Sequence, residues 1–277
     1  MSQDLVIQNL GSKGGEKNPL KHAFMPSPTG RGFRLIAIGS SGSGKSNAIK
    51  NMLTLDAYGY RDWFKDDIFI VSETLGRDET WDSIELPKFH KMKDYNEDTL
   101  NQIIDYSSNT ERGTLLLFDD MVCSDAINKY KSTLMDKIFM LGRHSKVNAI
   151  FTSQKYNALS PKMRANATHC ICFGLPTVSE KKMFLDDNSD LGEIEARYGE
   201  ATREPFSFLY IDRLTKKAYR NFEQVLEYGE DDGEDVAAED SDQGDHGDTP
   251  SIADSFHEER DEDGDAVWDA PDHTDDE

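Results

Sequence analysis

Phe33-Arg34-Leu35-Ile36-Ala37-Ile38 runs straight into Gly39-Ser40-Ser41-Gly42-Ser43-Gly44-Lys45-Ser46, and this junction decides the fold. The second stretch matches G-x-x-x-x-G-K-[ST] at every fixed position. A loop of this kind wraps its backbone N–H groups around the phosphates of a nucleotide, and its glycines permit the close approach and unusual dihedrals. Lys45 then sets its ammonium near the β and γ phosphates of ATP, and Ser46 offers a hydroxyl to Mg²⁺. Gly39, Ser40, Ser41, Gly42, Ser43 and Gly44 complete the cradle. The apolar run before the loop reads as a buried strand. Asn47 to Leu55 reads as a helix whose positive N-terminal end faces the same anion. That strand-loop-helix context separates this loop from a chance match in a Gly/Ser-rich segment.

Downstream, Ile68 to Val71, Leu115 to Phe118, Ala149 to Thr152 and Cys170 to Phe173 join Leu35 to Ile38 as short apolar runs suited to buried parallel strands. Helical spacing appears between them at Thr99 to Tyr106. It appears again at Ile127 to Leu141, where Ile127, Tyr130, Leu134, Ile138 and Leu141 share one stripe. Strands alternating with helices predict an α/β P-loop NTPase with a mainly parallel central sheet flanked by helices. Lys181 to Leu185 and Leu191 to Tyr198 also read as helices, and Phe206 to Ile211 as a further strand.

Thr114-Leu115-Leu116-Leu117-Phe118-Asp119-Asp120 is an apolar strand that ends in two acids, 74 residues after Lys45. An acid at the C-terminal edge of a buried parallel strand sits at the rim where ligands bind. Asp119 is therefore the candidate partner of Mg²⁺, directly or through water. Asp120 is the candidate general base, orienting and deprotonating an attacking water. The alternative for the pair is to cap the helix that follows.

The bulk numbers set limits. The 277 residues, 36% of them hydrophobic, suffice for one large α/β domain with appendages. The formal net charge of -22 is unevenly placed: residues 229–277 hold 22 of the 53 acidic residues but only Arg260 of the 31 basic ones. The body is nearly neutral, which excludes a broadly basic DNA-coating protein but permits local basic patches. Residues 1–30 read as an N-terminal arm or linker, 31–228 as the ATPase domain, and 229–277 as a disordered acidic tail with too few apolar residues to bury. Such a tail simply stays solvated, competes with DNA for basic groups, or docks through Ile252, Phe256, Val267 and Trp268. Three cysteines, Cys123, Cys170 and Cys172, make no CxxC pair and fit a reducing intracellular compartment. Cys170 and Cys172 alternate, so both should point to one face of a strand as small core residues. No run approaches the ~20 apolar residues of a membrane span, and the polar start lacks the apolar core of a signal peptide.

Beyond these lie Leu141-Gly142-Arg143-His144-Ser145-Lys146-Val147-Asn148-Ala149-Ile150-Phe151-Thr152-Ser153-Gln154 and Leu159-Ser160-Pro161-Lys162-Met163-Arg164-Ala165-Asn166. The ordered set GSSGSGKS, LLLFDD, GRH, TSQ and MRAN resembles the poxvirus-type genome-packaging ATPases of large DNA viruses and their double-jelly-roll relatives. These are similar in turn to the FtsK and HerA DNA-pumping ATPases. The resemblance covers Phe33 to Gly174 and implies a ring of identical subunits that moves double-stranded DNA, with capsid or assembly proteins as partners, inside the host cell or associated with the virion. It implies that the strand ending in Gln154 lies between the phosphate-loop strand and the acidic strand, so that Gln154 reaches the γ-phosphate or the attacking water. It also implies an arginine donated in trans, with Arg143 the first candidate and Arg164 the second. An ordinary salt bridge or a DNA-phosphate contact is the alternative for each. Many translocating relatives carry Asp-Glu where this chain has Asp119-Asp120.

Two other functions fit a P-loop. A nucleotide kinase would need an arginine-bearing lid beyond the core, and no such cluster is present in the sequence; an assembly switch would turn over ATP slowly and without regard to DNA.

Overall fold

The computed structural model describes residues 18–20, 22, 24–30, 32–77, 80–82, 84–87, 90–94, 96–120 and 134–227. The stripe residues Ile127 and Tyr130, Cys123 and the acidic tail lie outside them. In chain order the elements begin with β1 (Arg34–Ile38), α1 (Lys45–Thr54), α2 (Tyr60–Phe64), β2 (Ile68–Ser72), β3 (Lys91–Met92) and α3 (Glu97–Asn109). β4 (Thr114–Asp119), α4 (Leu134–Leu141), β5 (Val147–Ser153), α5 (Pro161–Asn166) and β6 (His169–Cys172) follow. The last are α6 (Val178–Asp186), α7 (Ile194–Ala201), β7 (Leu209–Asp212), β8 (Lys217–Arg220) and β9 (Gln224–Val225).

The described strands form one sheet in the order β3-β2-β4-β5-β1-β6-β7-β8-β9. The first six in that order are parallel, and β7, β8 and β9 extend the sheet antiparallel. Every residue of β1, β2, β4, β5 and β6 is buried. This is why these strands read as continuous apolar runs: helices cover both faces. Alternation then sorts the side chains. Ile36, Ile38, Leu116, Phe118 and Phe151 enter one core with Leu100 of α3, Ile138 of α4, Met163 of α5 and Phe184 of α6. Leu35, Ala37, Leu115, Leu117 and Ile150 enter the other with Ile49 and Met52 of α1 and Tyr60 and Phe64 of α2. Cys170 and Cys172 share the first core, as their spacing predicts, and Ile171 joins the second.

Local chemistry marks several helix starts. Asn96, Ser160 and Thr177 accept the N–H of the residue three positions on, and Pro161 occupies the first turn of α5, where its missing N–H costs nothing. The strand expected over Phe206 to Ile211 begins only at Leu209, and the helix expected from Leu191 begins at Ile194, after Gly192 turns the chain at φ 61°. Residues 24–30, read from the sequence as the end of an arm, pack on the domain. Met25 is buried, Tyr60 donates its hydroxyl to Pro26 O at 2.6 Å, and Tyr210 donates to Phe24 O at 2.8 Å. Among the described residues no helix is long and apolar enough to cross a membrane.

Candidate functional site

The C-terminal ends of β4, β5 and β1 lie side by side in the sheet, and each delivers its residues to the same place. β1 leads into the glycine-rich loop. Gly39, at φ 155°, has no room for a side chain: a Cβ would stand 2.7 Å from Phe173 Cβ and 2.8 Å from Ser43 Oγ. Its N–H is given to Ser153 O of β5 at 3.3 Å, so the loop is pinned to the neighbouring strand where it begins. Gly44, at φ 102°, ends the loop and precedes α1. Gly42 also takes a positive φ, 73°, as the turning backbone of an anion cradle requires.

A pocket of about 370 Å³ opens over this loop, lined by Ser41, Gly42, Gly44, Lys45, Ser46 and Asn47 on one side and Thr74, Asp119, Asp120 and Gln154 on the other. Lys45 Nζ donates to Gly39 O at 2.7 Å and Ser40 O at 2.9 Å. Burial pulls its pKa below the ordinary value, against the opposing attraction of Asp120 and Asp119. Asp119 is 4% exposed, and both of its carboxylate oxygens accept hydrogen bonds. Oδ1 accepts from Ser46 Oγ at 3.1 Å and Thr152 Oγ1 at 2.8 Å, and Oδ2 accepts from the indole N–H of Trp81 at 2.7 Å.

Asp120 steps out of the strand at φ 51°, an uncommon value for a residue other than glycine. Its N–H is given to Thr152 Oγ1 at 2.9 Å, and its Oδ2 accepts from Gln154 Nε2 at 2.6 Å. One threonine hydroxyl therefore bridges the two acids, donating to the first and accepting from the second. The strand order puts β5 between β1 and β4, the position the resemblance requires for Gln154. Lys45, Ser46, Asp119, Asp120 and Gln154 are thus brought together.

The two arginines are not. Arg143 lies in a 3-10 turn, Gly142–His144, where it is exposed and donates from Nε to His144 Nε2 at 3.1 Å. Arg164 on α5 pairs with Asp187 at 2.5 Å and lies over the Tyr156 ring at 5.2 Å. Neither lines the pocket of this chain. Trp81, Thr74 and Thr152 were not singled out by sequence. Thr152 sits in the TSQ stretch two residues before Gln154 and so carried a signal; Trp81 and Thr74 come from the long connection between β2 and β3, which has no motif.

Comparison with known proteins agrees with this architecture. Residues 25–186 match the family described as Poxvirus A32 protein. Uncharacterized protein 088R of Invertebrate iridescent virus 3 is 24% identical over 212 residues, spanning 72% of this chain and 76% of that protein. The genome packaging NTPase B204 of Sulfolobus turreted icosahedral virus 2, solved in complex with ATP-gammaS, is 18% identical with a TM-score of 0.51. That match covers 69% of this chain and 98% of B204. The DNA-packaging ATPase B204 of Sulfolobus turreted icosahedral virus matches with the same TM-score at 17% identity, over 68% of this chain and 96% of its own. The likeness to these two structures is one of fold.

Proposed function

The chain belongs to the Poxvirus A32 protein family, and from that membership we propose that it is a Mg²⁺-dependent ATPase that drives double-stranded DNA through a homo-oligomeric ring into a viral capsid. The observation that carries the catalytic part is the meeting of Lys45, Ser46, Asp119, Asp120 and Gln154 at one pocket. The DNA and capsid parts rest on the family and on a fold shared with proteins described as genome packaging NTPase and DNA-packaging ATPase.

The residues present fit Mg²⁺. A hydroxyl oxygen and a carboxylate oxygen converge from Ser46 and Asp119. Among the described residues no group of three or more His, Cys, Asp or Glu could cage a metal alone. Mg²⁺ suits such a site, because it takes one or two carboxylates and fills its shell with water and substrate phosphate. When bound, the ion neutralises charge on the β and γ phosphate oxygens. Lys45 exchanges the Gly39 and Ser40 carbonyls for phosphate oxygens. Asp120 takes a proton from the attacking water, and Gln154, through its donor bond to Asp120, holds that carboxylate and responds to loss of the γ-phosphate. Arg143, exposed and away from its own pocket, is free to complete the site of a neighbouring subunit.

ATP turnover measured with and without double-stranded DNA tests the proposal. Turnover should rise with DNA and vanish in Lys45→Ala. Asp120→Asn should retain ATP binding while hydrolysis falls by roughly 100-fold or more. Hydrolysis at the wild-type rate in Asp120→Asn would remove Asp120 as the base, and turnover indifferent to DNA would remove the motor.

A further inference from the structure

Beside the phosphate pocket lies a second cavity of about 250 Å³ that shares Gly44 and Asn47 with it, so the two meet at the start of α1. One wall is aromatic. Phe208 and Phe222 are buried and pack edge to face, with ring centres 5.0 Å apart. Phe206 behaves differently: it is 72% exposed and held at φ 63°, a backbone conformation that bulky L-residues rarely adopt. Ser207 fixes the turn, giving both its N–H and its hydroxyl to Glu204 O at 3.1 and 2.7 Å. Phe206 Cδ1 lies only 3.4 Å from where a Cβ on Gly44 would stand, so the ring rests against the phosphate loop itself. A strained backbone that presents an exposed ring gains little from packing, and strain of this kind gathers at ligand sites.

The rest of the rim is polar. Asn47 and Asn51 stand one turn apart on α1 and both line the cavity. Asn221 lines it too; its Oδ1 already accepts from Phe208 N–H at 3.1 Å, so its amino group is the donor left for a ligand.

We propose that this cavity is the adenine subsite of the nucleotide: Phe206 stacks on the base and the carboxamides of Asn47, Asn51 and Asn221 read its edge. The proposal rests on nucleotide binding at the phosphate loop. A carboxamide pairs one acceptor with one donor and so complements the N6 amino group and ring nitrogen of adenine. Glu223 also lines the cavity and adds a carboxylate that accepts from the N6 amino group.

Binding of ATP, GTP and inorganic tripolyphosphate, measured by calorimetry on the full chain, separates the two layers of the argument. Tripolyphosphate probes the phosphate loop alone. Wild-type protein should bind ATP more tightly than tripolyphosphate and more tightly than GTP. Phe206→Ala should weaken ATP binding on the order of tenfold and leave tripolyphosphate binding unchanged, while Phe206→Tyr keeps the wild-type preference. An ATP advantage that survives intact in Phe206→Ala overturns the stacking role, and equal affinity for GTP and ATP overturns the choice of adenine. Failure of tripolyphosphate to bind the wild-type protein overturns the phosphate-loop reading instead.

Discussion

Asp119 accepts from Ser46, Thr152 and Trp81, and all three donors come from parts of the chain far from it in sequence. The bond from Trp81 is enclosed, since that residue is fully buried. Removing a donor from a buried carboxylate leaves the oxygen without water or partner, at a cost of about 1–3 kcal/mol. Trp81→Phe keeps an aromatic ring in the core but lacks the N–H. It should therefore lower the melting temperature by several degrees and slow ATP turnover, because Asp119 loses the contact that fixes its second oxygen. A thermal melt and a turnover assay check this, and a variant equal to wild type in both would show that Trp81 serves packing alone. At this scale the phosphate-loop residues were legible because a cradle for an anion must be built from consecutive residues. Trp81 and Phe206 were not: Trp81 reaches Asp119 from a connection whose sequence has no period, and Phe206 falls in a run read as the start of a strand, where only the fold shows that it turns toward Gly44.

The antiparallel part of the sheet shows why some elements escape a reading of pattern. The β7-β8 hairpin turns through Arg213-Leu214-Thr215-Lys216, without the glycine or asparagine that normally announces such a turn, although Lys216 takes φ 54°. Asp212 supplies the missing chemistry, accepting from Leu214 N–H at 2.9 Å, Thr215 N–H at 3.2 Å and the Thr215 hydroxyl at 2.7 Å. β8 is also too short for alternation to show, with Ala218 and Tyr219 both buried. The five central strands were legible for the opposite reason, because burial on both faces turns each into an unbroken apolar run. Between α4 and β5 the 3-10 turn holds Arg143 away from its own pocket. If that turn serves a neighbouring subunit, mixing Arg143→Ala with Lys45→Ala protein should restore part of the ATP turnover that each lacks alone, since some interfaces then pair an intact loop with an intact arginine. Mixtures that co-assemble without recovery would place Arg143 outside the reaction.

At the scale of the whole domain, one source of acid sensitivity lies in the middle of the sheet. His169 on β6 is buried, stacks on Tyr210 with ring centres 6.0 Å apart, and lies between Thr168 Oγ1 at 2.8 Å and Asp212 Oδ1 at 3.4 Å. Burial pushes its pKa below the ordinary imidazole value, more than Asp212 raises it, and Arg34 and Arg213 push the same way as burial. The unfolded chain then binds a proton that the folded chain resists, so this contribution to stability is complete above about pH 6.5 and is lost as the pH falls below it. Melting temperatures compared at about pH 7 and about pH 5.5 should fall less in His169→Gln than in the wild type. The margins of the sheet carry a different consequence. Among the described residues it ends in the two-residue strands β3 and β9, each too short to offer a neighbour a useful row of free N–H and C=O groups. In the proposed ring, copies that met at these described edges would be joined through side chains rather than a shared backbone ladder, a kind of seam that can slip and re-form with every cycle of nucleotide.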